Sequence, residues 1–240
     1  MVSHSLGERQ KSILSAVIEE YVRSARPVAS RELQGREEFD FGPATIRNEM
    51  LKLDRWGYLN QPHTSAGRVP TDRGYRFFVD YLIEETDLRA QDMRLLQELF
   101  HMDNEDEFLK EFGKRVAHIS NTFTTVGRFG DDALYDAGFS EIFDEPEFRD
   151  ARMLKAFGRF MDEFNESVRG LFEESEEERI LIGAENPMRE GRECTVVLST
   201  WKNGWGSEGF FAMVGPKRTN YAKHRALLRK IKQISDEYDG

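Results

Sequence analysis

Ala44, Thr45, Arg47 and Asn48 stand within five consecutive positions and carry the chemistry for reading the edges of DNA base pairs. An arginine can donate two hydrogen bonds to guanine, and an asparagine can pair in bidentate fashion with adenine. Alanine or threonine can touch the methyl group of thymine. Each good bidentate pair is worth about 1–3 kcal/mol of discrimination against the wrong base. A second group follows at His63, Thr64, Ser65, Gly67 and Arg68, where short polar and basic side chains surround a glycine that would let backbone approach a phosphate closely. Ser30, Arg31 and Arg55 are further candidates for backbone contacts, which position a protein on the duplex without reading sequence.

Rigid elements must present these groups. Gly42-Pro43 opens a helix with proline at the first helical position, where no hydrogen-bond donor is lost. Ile46, Met50 and Leu53 share its inner side, Leu51 falls near the exposed side or else packs toward the hairpin, and Gly57 is placed to end it. Tyr58-Leu59-Asn60 and Arg68-Val69-Pro70 bracket HTSAG, which predicts a small two-stranded wing. Upstream, Ser5 and Glu8 have capping-box spacing. Leu6, Gln10, Ile13, Leu14, Val17, Ile18 and Tyr21 then follow helical periodicity. Pro27 ends that helix, Ser30 can cap a short one over 31–36, and Thr71 can cap a closing helix through Tyr75, Phe78 and Leu82. This order is that of a winged helix-turn-helix, whose second helix reads bases with its N-terminal residues. The same pattern also serves protein-interaction modules, so the periodicity alone leaves both open.

The net charge of −10 argues at first against a nucleic-acid partner, but the charge is uneven. Residues 1–82 carry 12 Lys+Arg against 11 Asp+Glu, and the remainder carries 22 against 33. Local clustering of arginine matters more for phosphate contact than whole-chain charge. Hydrophobic residues make up 39%, enough for a folded core. The longest apolar runs are a few residues, so no membrane span is expected. The first residues lack the apolar run of a signal peptide, and the single Cys194 fits a reducing compartment; a cytoplasmic location is expected.

Beyond the wing, residues 84–105 read as an acidic connecting helix. Glu107–Val116 reads as helix, Ile119–Val126 as strand, and Pro146 starts a long helix with Met153, Leu154, Phe157, Phe160, Met161, Phe164 and Val168 on one face. An acidic break at Glu173–Glu178 precedes strands at Arg179–Ile182, Cys194–Trp201 and Gly209–Val214. Asn203-Gly204 makes a hairpin of the last two, and a helix from Tyr221 to Ile234 follows. Helices around a small antiparallel sheet make this half, and the chain, α+β. The domains expected are 1–83, a helical linker at 84–105, and 106–240.

Signals for other chemistry are weak. Gly204 to Gly209 formally fits G-x-G-x-x-G, but strand follows where a dinucleotide site needs a helix, so a hairpin loop is expected. Five scattered histidines without a cysteine partner make a metal site improbable. Cys194 reads as a buried apolar residue. No catalytic residue, metal ligand or cofactor is expected, and enzymatic activity ranks last.

The stretches LGERQKSILSAVIEEYVRSARPVASRELQ and GPATIRNEMLKLDRWGYLNQPHTSAGRVPTDRGYRFFVDYL, with their ATIRN and PHTSAGR-P motifs, closely resemble the N-terminal domain of the HrcA family of heat-inducible transcription repressors. Ala133 to Phe148, IGAENP (182–187) and GPKRTNYAK (215–223) resemble later segments of that family more loosely, so the likeness covers most of the chain. The resemblance implies a winged helix joined to a GAF-like domain, a homodimer on an inverted-repeat operator of the CIRCE type upstream of chaperone genes, and assistance from a GroE-type chaperonin. By the same matching Thr45, Arg47 and Asn48 are the reading positions and His63 to Arg68 the wing. Family members are usually longer, with a dimerisation insert; here Phe123–Phe129 passes almost directly to Ala133-Leu134-Tyr135, so a reduced GAF-like domain is expected. Two other readings are a ligand-sensing winged-helix regulator and a protein-interaction module without operator binding.

Overall fold

Ile13, Leu14, Ala16, Val17 and Ile18 fall on one face of the first helix, α1 (Glu8–Ser24), and all five are buried. In the computed structural model, which describes residues 6–35, 39–173 and 178–238, the chain divides into two units, Met1–Glu84 and Glu85–Gly240. The serine expected to cap α1, Ser5, lies outside the described residues; Gly7 precedes the helix, and its N–H donates to Gln10 Oε1 at 3.0 Å.

The first unit continues through α2 (Pro43–Arg55), the antiparallel pair β1 (Leu59–Asn60) and β2 (Val69–Pro70), and α3 (Asp72–Tyr81). Two local expectations hold closely. Pro43 opens α2, and Gly57 (φ 75°) follows it in the left-handed region that favours glycine. The Gly57 N–H donates to the Asp54 carbonyl and the Tyr58 N–H to the Leu53 carbonyl, both at 2.9 Å, the paired bonds of a Schellman ending. Thr71 caps α3 by accepting from the Gly74 N–H at 3.1 Å. One expectation fails. The described part of 31–36 is not helical: Glu32 donates to the Ala29 carbonyl and Gln34 to that of Arg31, two successive turns anchored by buried Leu33. So short a segment cannot offset the cost of helix nucleation.

In the second unit five antiparallel strands form one sheet in the order β4-β3-β7-β6-β5: β3 (Phe123–Arg128), β4 (Leu134–Ala137), β5 (Arg179–Ile182), β6 (Cys194–Lys202) and β7 (Glu208–Pro216). Its central strands are buried on both faces, and the side chains alternate as the pleat requires. Val197, Trp201, Phe211 and Met213 pack with α4 (Ala90–Phe100), α5 (Glu105–Ser120) and α8 (Tyr221–Asp236). Val196, Leu198, Phe210, Ala212 and Val214 pack on the other side with Phe157, Phe160, Phe164 and Val168 of α7 (Ala151–Glu173). A short α6 (Phe139–Phe143) and a 3-10 turn at Pro146–Arg149 lead into α7. The architecture is mixed α+β.

The helix expected within 84–105 is α4, Ala90–Phe100. Leu96, Leu99 and Phe100 of α4 are core residues of the second unit, and the boundary falls at Glu84/Glu85. The loop at 203–207 is the hairpin turn expected, closed by Asn203 Oδ1 accepting from the N–H groups of Trp205 and Ser207 at 3.1 Å each. Cys194 is buried, and burial pushes its thiol up to about 12. Among the described residues no helix is long and apolar enough to cross a membrane, and no group of His, Cys, Asp and Glu is arranged to hold a metal.

Candidate nucleic-acid interface

α2 divides cleanly into two sides. Ile46, Glu49, Met50 and Leu53 are buried, whereas Ala44, Arg47, Asn48, Leu51, Lys52 and Arg55 are exposed. Ala44, Arg47, Asn48, Leu51 and Arg55 recur at intervals of three and four residues, so they form one continuous stripe. Thr45 is half-buried at its edge.

The electrostatics of this helix follow from where its two acids go. Glu49 faces inward, accepting from Gln10 Nε2 of α1 at 2.9 Å and from Lys52 Nζ at 2.8 Å. The Lys52 ammonium holds the Glu49 carboxyl below the usual carboxylate range, against the cost of its burial. Asp54 is paired with Arg68, Nε to Oδ2 at 3.0 Å. Both carboxylates of α2 thus have cationic partners, and Arg47 and Arg55 stand on a side that carries no acid of its own helix. Such a surface suits a polyanion. Arg9 of α1 lies over the Phe41 ring at 4.8 Å and ties the entry of α2 to α1.

Two hairpin residues have structural work beside the phosphate contact expected of them. Gly67 is fixed by a close approach within the unit. A side-chain carbon there would meet the carbonyl carbon and oxygen of Val28 at 2.4 Å, so the glycine is required by a close crossing of the chain within the unit. Arg68 exchanges backbone hydrogen bonds with Val28 at 2.8 and 2.9 Å, and its side chain, 12% exposed, lies against Asp54. It fastens the hairpin to α2. His63, Thr64 and Ser65 are exposed at the tip. The tip is held by Gln61, whose Nε2 donates to the carbonyls of Thr64 at 3.2 Å and Ala66 at 2.9 Å. Ser30 is half-buried and Arg31 exposed, in the turns that begin at Ala29, directly after the Val28 bridge. That bridge and the Asp54–Arg68 pair bring the turn, α2 and the hairpin into one connected body.

Sequence reasoning missed Glu49, Gln61 and the Asp54–Arg68 pair. Glu49 carried a signal: it lies three residues from Ile46 and four from Leu53, on the apolar side of α2. The partners of Gln61 and Arg68 are fixed only once the hairpin is folded, and no local pattern marks them.

Comparison with known proteins places this geometry in context. Residues 76–224 match the family described as the HrcA protein C-terminal domain. The chain is 28% identical over 329 aligned positions to a protein of Symbiobacterium thermophilum named heat-inducible transcription repressor HrcA, covering 94% of this chain and 96% of that one. It is 47% identical over 95 residues to the protein of the same name from Halalkalibacterium halodurans, covering 40% of this chain and 28% of the other. The 329 positions exceed the 240 residues here, so the first relative holds residues that face gaps in this chain. A solved structure described only as a hypothetical protein has the same fold, with a TM-score of 0.76 at 17% identity over 98% of this chain and 99% of that one.

Proposed function

Since this chain belongs to the HrcA family, we propose that it is a transcriptional repressor that binds an inverted-repeat operator of the CIRCE type as a homodimer. In this reading the first unit is a winged helix-turn-helix. α2 enters the major groove, and Thr45, Arg47 and Asn48 face base edges there. The hairpin is the wing, and His63, Thr64 and Ser65 lie along the phosphate backbone with Arg31 and Arg55. Arg68 and Gly67 hold the wing in place. The second unit is a reduced GAF-like domain that carries regulation and pairing. A two-fold operator requires a two-fold protein, because each recognition helix reads one half-site. Loss of the DNA-competent fold on heating, countered by a GroE-type chaperonin, would set transcription free.

The observation that carries this reading is the exposed stripe of α2, with base-reading side chains and both acids of the helix tied to cations. Selection of bound duplexes from a random pool, with mass measurement of the complex, tests it. The expected outcome is an inverted repeat bound by two chains. Recovery of unrelated sequences, or of a single half-site by one chain, rejects it.

A ligand-sensing regulator is a second reading, favoured by one feature. A cleft of about 450 Å³ in the second unit is lined by Phe129, Arg169, Phe172, Trp201 and Phe210 among others. A rise in melting temperature with a metabolite, accompanied by altered operator affinity, would favour it.

A further inference from the structure

Leu51 is the one large apolar side chain exposed on α2, at 39%. It sits on the same stripe as Ala44, Arg47 and Asn48, three residues beyond Asn48. At about 1.5 Å of rise per residue it lies roughly 6 Å farther along the helix than Arg47, a little under two base steps at about 3.4 Å each. The core of the unit does not claim it: the inward side of α2 is filled by Ile46, Met50 and Leu53, all buried to within 1%. A branched apolar group beside bidentate donors has a natural counterpart in the major groove, because only thymine presents a methyl there.

Resting on the DNA-binding reading above, we propose that Leu51 is a specificity-determining residue that contacts the C5-methyl of a thymine next to the bases read by Arg47 and Asn48. The contact needs no hydrogen bond and no charge. It discriminates thymine from cytosine and from uracil by apolar area alone, and it operates once in each half-site. Burying one methyl-sized group is worth about threefold to fivefold in affinity.

The test uses the full-length protein and the duplex recovered by selection, with each thymine of one half-site replaced in turn by deoxyuridine, which removes only the methyl. Wild-type protein is expected to lose about threefold to fivefold in affinity at one thymine beyond those that alter Arg47 or Asn48 contacts. Leu51→Ala is expected to bind the intact site more weakly by a similar factor and to become indifferent to deoxyuridine at that position. Leu51→Ile should retain much of the sensitivity. Since Leu51 is exposed, the alanine variant should keep the wild-type melting temperature. Unaltered wild-type affinity at every substituted thymine overturns the proposal, and so does equal sensitivity in wild type and Leu51→Ala. Either result leaves operator preference intact. Absence of any preference for the selected site over scrambled DNA instead sinks the DNA-binding reading itself.

Discussion

Two arginines of similar promise in the sequence have different work in the fold. Arg47 is exposed on α2, whereas Arg68 lies against Asp54 and in the backbone bridge to Val28. Arg47→Ala is expected to relax base preference in a binding-site selection and leave thermal stability unchanged. Arg68→Ala is expected to weaken binding to all sequences alike and to cost about 1 kcal/mol of stability, because Asp54 loses its partner. The reverse assignment in the same selection and melting experiments would show that the two roles had been exchanged. Gly67→Ala is the sharper structural test. Its added carbon would press on Val28 backbone, and overpacking of that kind costs about 1–3 kcal/mol; an unchanged urea midpoint would contradict the crossing.

Helices and strands set the response to acid. His224 of α8 is buried, its Nε2 3.2 Å from the Ser120 carbonyl oxygen at the end of α5 and 3.3 Å from Thr219 Oγ1. Burial pushes its pKa down to about 4. The unfolded chain takes up a proton near pH 6.5 that the folded chain refuses until about 4, so stability falls as pH drops through that window. The full loss is about 3 kcal/mol, and His224→Gln should flatten that part of the pH dependence of denaturant unfolding. Glu49 acts lower. Its carboxyl titrates below the ordinary 4.5, so its contribution is complete above that value and disappears as pH falls beneath it. Glu49→Gln should be less stable at neutral pH and show a shallower acid slope below about 4.5. These elements were legible in the sequence to different depths. Pro43 and Gly57 bound α2, Thr71 opens α3, and apolar runs mark β5, β6 and β7, because each signal is carried by neighbours in the chain. No sequence signal marks β4, since an edge strand of four residues has little pattern. The turns at 29–35 mimicked a helix start because Ser30 and the residues after it satisfy local capping rules, while the length needed for a helix is missing. The candidate site was legible in its exposed residues and opaque in its supports: Glu49 with Gln10, and Arg68 with Asp54 and Val28, are partnerships across many positions.

At the scale of the whole molecule an acidic chain of net charge −10 carries a nearly neutral first unit, and within it a helix side with arginines and no free acid. DNA binding by such a surface should weaken steeply with salt, since each phosphate contact releases counterions. The logarithm of affinity should fall linearly with the logarithm of salt concentration, and a flat response would remove phosphate contact from the account. The chain has fewer residues than the 329 positions of its alignment with the Symbiobacterium relative, so the proposed dimer would be built from shorter chains. The account stands on sequence-specific recognition by α2, and a competition gel-shift addresses that most directly. Full-length protein is bound to a labelled CIRCE-type duplex at fixed, stated low salt, then challenged with unlabelled CIRCE-type or scrambled duplex. The account predicts displacement by the inverted repeat at concentrations where scrambled DNA has no effect. Equal displacement by both would contradict it.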